Sequence, residues 1–198
     1  MTKLLLASTS PARKKLLQEA GINFETLSPG VDEEALVEQL APSSGEELTL
    51  LLAKAKADAV VGKTNLPLIL GCDSALEFEG EIYGKPLVEE MAIARWKLMR
   101  GKSGTLLSGH HLVDASGRTA STCTKTKVFF ADLSDQEIQR YVETGEPLMV
   151  AGAFTIDSIG GSYVERIEGD YHTVVGLSLV ALRNLMAELG YSYQDFWR

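Results

Sequence analysis

Apolar positions along the first half of this chain alternate between two rhythms. Residues 1–7 are mostly apolar, the pattern of a buried strand. Arg13, Leu16, Leu17 and Ala20 then recur at helical spacing, so Arg13 begins the stripe expected to face the protein. Ser10 is a suitable N-cap for this helix, Pro11 fits the first helical position, and Gly21 is placed to end it. Residues 22–27 predict a short strand leading to an acidic loop, Val31-Asp32-Glu33-Glu34. Ser43 and Glu46 form a capping-box pattern, opening a helix expected to run to Gly62. Residues 66–71 predict a dense apolar strand. A hairpin turning at Gly80 follows, and then an amphipathic helix over 87–99 that stops at Gly101.

From residue 105 the rhythm shortens to period two. Residues 106–113 and 121–130 predict paired strands about the turn Asp114-Ala115-Ser116-Gly117. Ser134 and Glu137 make a second capping box, for a helix ending near Gly145. Residues 154–167 predict a β segment interrupted at Gly160-Gly161, and residues 177–189 a final helix closed by Gly190. The sum is an α/β fold: a mixed, twisted sheet flanked by helices, in two lobes around a central cleft.

Composition narrows what such a fold serves. A length of 198 residues suits one domain or two closely packed lobes. No stretch approaches the roughly 18 uninterrupted apolar residues of a membrane span. No export signal is evident, and a cytoplasmic location is expected. Cys72 and Cys123 lack metal or disulfide spacing. The formal net charge of −8 argues against a duplex nucleic acid partner, which requires a broad basic surface. A small phosphorylated substrate needs only a local cluster of cations.

Five segments carry candidate chemistry. The start of the first helix offers unpaired N–H groups, the hydroxyls of Ser8, Thr9 and Ser10, and the planar donor fork of Arg13. That set suits an anion such as phosphate. It equally describes a well-capped helix whose arginine pairs with a carboxylate. Asp73, in Gly71-Cys72-Asp73-Ser74, falls at the expected carboxyl end of a buried strand, where α/β sheets place functional groups. An aspartate there also serves as an ordinary turn residue. Lys56 lies at the margin of its helix's buried stripe, where a lysine either snorkels to solvent or reaches into a cleft. Lys85, in Gly84-Lys85-Pro86, is either a surface lysine or a cation held on an extended loop, and Glu33 with Asp32 supplies either a metal carboxylate or a helix cap. Gly101-Lys102-Ser103 imitates a phosphate-binding P-loop, but Trp96 stands where the motif needs glycine. His110, His111 and His172 lack metal-ligand spacing and read as structural or surface residues.

Taken in order, residues 8–13, 71–74 and 84–86, with Ala151-Gly152-Ala153-Phe154 and Val174-Val175-Gly176-Leu177, resemble the Maf family of nucleoside triphosphate pyrophosphatases. Each fragment is weak alone; five in order are specific, and they span nearly the whole of 1–198 as a single Maf-like domain. The resemblance implies hydrolysis of a nucleotide to the monophosphate and pyrophosphate with Mg²⁺ or Mn²⁺, by a protein that is often a homodimer. It implies that Asp73 is the catalytic carboxylate, with Ser8, Ser10 and Arg13 at the phosphates. Glu33, Lys56 and Lys85 match the acidic and basic positions around the triphosphate, and Glu33 and Asp73 the metal carboxylates. Ala12, Ser74 and Asp157 match positions associated with base choice, and all three depart from the common family pattern, as do Val150 and Phe154. A changed base pocket around an intact phosphate site is expected, with non-standard or modified nucleotides among the substrates. A nucleotide-binding regulator of cell division with incidental hydrolysis is the competing reading.

Overall fold

The computed structural model describes residues 2–198; Met1, the first residue of the expected opening strand, lies outside them. The elements in chain order are β1 (Leu4–Ala7), α1 (Pro11–Glu19), β2 (Phe24–Leu27), α2 (Glu33–Leu40), α3 (Gly45–Asp58), β3 (Leu68–Phe78) and β4 (Glu81–Tyr83). They continue with α4 (Glu89–Met99), β5 (Ser103–Asp114), β6 (Thr119–Phe130), α5 (Asp135–Glu143), β7 (Val164–Glu168), α6 (Tyr171–Val175) and α7 (Leu179–Glu188). The seven strands form one mixed sheet in the order β2-β1-β3-β5-β6-β7, with β4 paired to β3. The chain divides into two compact units, as the two-lobe expectation has it. The first holds residues up to Asp73 together with 108–124 and 176–198; the second holds 74–107 and 125–175.

In the first unit β1 runs parallel to both β2 and β3, and Ala7 is the last residue of β1, opposite Gly71. Leu5, Ala7, Ala57, Val60, Ile69 and Val113 make a core cluster there. Helix α1 starts as its sequence dictates: the Ser10 hydroxyl accepts the Arg13 N–H, Pro11 opens the helix, and Gly21 follows it at φ 70°. Helix α3 starts one residue later than its pattern suggests. Ser44 is the N-cap, and Glu47 reaches back to the N–H and hydroxyl of Ser43. It also ends at Asp58, short of Gly62, because Val60, Val61 and Lys63 continue in turns.

The main departure concerns β3. It does not stop at Gly71 but runs eleven residues, to Phe78, with Asp73 in its middle. Past Gly71 the strand outruns β1 but keeps β5 as its neighbour in the sheet. Beyond the end of β1 it goes on, and its far end pairs antiparallel with β4 through a tight turn at Glu79 (φ 49°) and Gly80 (φ 89°).

In the second unit Trp96 is fully buried, packed edge-on against Phe130, Tyr141 and Tyr163, and its indole N–H donates to the Ala153 carbonyl at 2.7 Å. Phe154 stacks edge-on against Phe130, so its departure from the common family residue falls in the core. The capping box of Ser134 and Glu137 is present on α5. The β segment expected over 154–167 is only partly a strand. Residues Ile159–Tyr163 form a 3-10 turn and only Val164–Glu168 extend, because 155–160 take their hydrogen bonds from a side chain.

Helix α3 crosses the sheet at unusually close range. A Cβ on Gly71 would stand 2.0 Å from the Ala53 carbonyl oxygen, and one on Gly109 2.3 Å from that of Thr49. Backbone atoms cannot yield as a flexible side chain does. Gly71→Ala is therefore expected to destabilise the protein by about 3 kcal/mol, read from urea unfolding. An unchanged midpoint would show that the helix is free to move away.

Candidate functional site

Asp73 is 8% exposed and sits on β3, two residues past the point where β1 ends. Lys56 lies on α3, three residues beyond Ala53, and is 6% exposed. The close approach of α3 at Gly71 therefore brings this lysine to the aspartate. Its ammonium donates to Asp73 Oδ1 at 2.6 Å. The same nitrogen lies 2.8 Å from Glu33 Oε1. Of the two readings of Lys56, the inward one holds. The pair Asp32 and Glu33 also separates: Asp32 caps α2 by accepting the Ala35 N–H, while Glu33 turns to the ammonium.

Arg13 is buried, and its fork spans two segments. Its Nε donates to the Gly176 carbonyl at 2.8 Å and Nη1 to the Cys72 carbonyl at 2.9 Å. The guanidinium thus ties the start of α1 to the residue before Asp73. Ser8 is buried, and its hydroxyl oxygen accepts the Ser10 N–H at 3.1 Å, while Ser10 caps the helix. Both serine oxygens thus shape the turn, and each keeps a hydroxyl proton with which to donate. Ala12 is half-buried on α1.

Burial pushes the Asp73 carboxyl above the ordinary carboxylate range, opposed by the charges of Lys56 and Arg13 and by the hydrogen bond from Lys56. Burial pushes the Cys72 thiol up to about 12, so this cysteine is a protonated, inert neighbour and not a nucleophile. The arrangement is a shielded carboxylate, a cation shared with a second carboxylate, and a fixed guanidinium. Its chemistry is proton acceptance beside concentrated positive charge.

The remaining expected residues belong to the second unit. Ser74, directly after Asp73, and Asp157 are half-buried, and Lys85 is exposed. The loop carrying Lys85 is pinned on both sides: the Gly84 carbonyl accepts from Arg95 Nη1 at 2.6 Å and from the Gly152 N–H, and Pro86 is buried. Lys102, of the P-loop imitation, pairs with Glu79 at the surface. His110 and His111 are both buried, not at the surface. His110 Nε2 accepts the N–H of Ser178, the cap of α7, and His111 Nδ1 meets the Ser121 hydroxyl at 2.6 Å. One residue escapes the sequence reading altogether: Glu146, whose carboxylate gathers five donors in the second unit. The only local signal is its place between Gly145 and Pro147 after a helix, which marks a turn and not a hub.

Titration of Asp73 by carboxyl-carbon NMR should give a pKa above about 3.9, the ordinary aspartate value. The Lys56 ammonium favours the charged carboxylate, so Lys56→Met should move that titration to higher pH still. A downward move would contradict the assigned contact.

Comparisons with known proteins agree on a relationship. The family model described as Maf-like protein matches residues 3–189. A protein of Salinispora tropica named nucleoside triphosphate pyrophosphatase is 53% identical, covering 98% of this chain and 87% of its own. Proteins of the same name from Thermosynechococcus vestitus (49% identical, 98% of each chain) and Trichormus variabilis (45%, 100% of this chain and 98% of its own) match equally broadly. Among the described residues, no helix is long and apolar enough to cross a membrane.

Proposed function

Because the chain belongs to the Maf family, we propose that it hydrolyses nucleoside triphosphates to the monophosphate and pyrophosphate, with Asp73 preparing the attacking water. The observation that carries this reading is the ammonium of Lys56, bonded to Asp73 at 2.6 Å and standing 2.8 Å from Glu33. Relatives 45–53% identical over almost the whole chain bear the name of that activity.

The chemistry follows from the groups present. Asp73 accepts a proton from water as its oxygen attacks the α-phosphorus, and the bond to the bridging oxygen breaks to release pyrophosphate. The raised pKa of Asp73 makes it a stronger base than an exposed aspartate, while the charges of Lys56 and Arg13 favour its ionised form. Lys56 and Arg13 offset negative charge as it develops on the phosphates, and Lys85 contributes a further cation. The hydroxyls of Ser8 and Ser10 and the N-terminal end of α1 hold phosphate oxygens.

Glu33 and Asp73 also suit a divalent cation. Their oxygens already converge on one positive charge, and hard oxygen donors are what Mg²⁺ and Mn²⁺ prefer. Mg²⁺ is commonly held by one or two carboxylates together with the substrate's own phosphates. Such an ion, when bound, supplies charge neutralisation and a more acidic water.

Ala12, Ser74 and Asp157 are proposed to choose the base. The small side chain of Ala12 favours broad tolerance, with modified nucleotides among the substrates. The protein is proposed to act in the cytoplasm, as a homodimer.

Asp73→Asn should lower multiple-turnover pyrophosphate release by about 10²–10⁴-fold. The folded state favours the neutral acid, so at neutral pH the charged aspartate costs stability and the Asn variant should melt no lower than the parent. Full turnover in that variant would remove Asp73 from the mechanism. Dialysis against EDTA should abolish pyrophosphate release, and Mg²⁺ or Mn²⁺ should restore it. Turnover that persists after metal removal would overturn the role given to Glu33.

A further inference from the structure

Glu146 opens the 3-10 turn Glu146–Met149, directly after Gly145 at φ 75°. Its Oε1 accepts the hydroxyl of Tyr141 at 2.9 Å, the hydroxyl of Thr155 at 2.5 Å and the amide of Gly160 at 2.8 Å. Oε2 accepts the Ile159 amide at 3.1 Å, and the Ser158 hydroxyl adds a further bond. A single carboxylate thus holds both ends of residues 155–160. The Tyr141 hydroxyl closes the arrangement by accepting the Thr155 N–H at 3.3 Å.

Glycine at 160 is part of the same device. A Cβ there would stand 2.2 Å from the Tyr141 hydroxyl and 2.7 Å from the Thr155 carbonyl oxygen, so only glycine lets the loop close this far. Burial alone would raise the Glu146 carboxyl. The hydrogen bonds from Thr155, Gly160, Ser158 and Tyr141 outweigh it and hold the group down at about 2, so it is charged throughout the neutral range.

With its ends drawn inward, the loop displays its middle. Ile159 is 49% exposed, and Asp157, two residues earlier in the loop, is half-buried. An apolar side chain and a carboxylate on one loop are the chemistry that a nucleobase meets well, since a base has an apolar face and polar edges. Freezing such a loop before the ligand arrives reduces the ordering that binding requires.

We propose that Glu146 is a positioning residue for base selection, its carboxylate fixing residues 155–160 so that Asp157 and Ile159 meet the nucleobase of the substrate. The inference rests on the proposed nucleoside triphosphate hydrolysis and on Asp157 reading the base. Glu146→Gln keeps the size of the side chain but removes the charge and presents an NH₂ group to a cluster of donors. Leaving such donors unsatisfied loosens the loop enough for roughly tenfold changes in binding.

The test measures kcat and KM for the four ribonucleoside triphosphates with the parent protein and with Glu146→Gln and Thr155→Val. Glu146→Gln is expected to change the ratio of kcat/KM between the best and worst base about tenfold. The change should lie in KM, with kcat for the best base held within about twofold. Thr155→Val, which removes a single donor, should move the ratio the same way by less, and it carries the test if the Gln variant fails to fold. An equal loss for all four bases, or an unchanged ratio, overturns the proposal and leaves Glu146 a structural residue. If the parent protein releases no pyrophosphate from any of the four, the proposed function fails first. If the parent is active and Asp157→Ala shifts the ratio while Glu146→Gln does not, this inference alone fails.

Discussion

The site depends on one steric constraint: a helix backbone laid against a strand at a distance that admits no side chain. Thr49, Ala53 and Ala57 recur every fourth residue on α3 and share one face, and glycines at 71 and 109 receive it. Small residues on the helix and none on the strands set the spacing. Lys56 rides on that face's edge, so its ammonium is delivered to Asp73 by packing and not by a flexible loop. A functional pair mounted on regular elements holds its geometry more closely than one carried on loops.

The electrostatics of the first unit follow from that placement. Enclosing Asp73 disfavours its charge, and two cations oppose that cost without removing it. One cation is mobile in chemistry, since an ammonium can exchange partners among Asp73, Glu33 and an arriving anion. The other is fixed, because two N–H groups of Arg13 are committed to the carbonyls of Cys72 and Gly176. This division balances the acid with one cation that can change partners and one that cannot.

Much of this was legible in the sequence, and the rest was hidden for physical reasons. The buried face of Arg13 followed from its spacing to Leu16 and Leu17, and the cap at Ser10 from local chemistry, both being properties of one helix. Local patterns also located Asp73 and its neighbouring glycine. The role of that glycine was not visible, because backbone or ligand satisfies the same rule and only the tertiary contact with Ala53 decides. The strand was expected to stop at Gly71 because an apolar run ends there, whereas its extension past β1 goes with neighbours, β5 and β4, that the local pattern does not show. Glu146 lay beyond reach for the same kind of reason: its partners at 155, 159 and 160 belong to a loop whose conformation the carboxylate itself creates.

The two acids that share Lys56 have unequal tenure. Asp73 is enclosed in the sheet, but Glu33 rides on α2, an eight-residue helix with no buried side chain, ended at Ala41 in a left-handed conformation. Segments with so little stake in a core open at small free-energy cost, well below global unfolding. Helix α2 can therefore peel away and return on its own, withdrawing one carboxylate from the ammonium while the other stays seated.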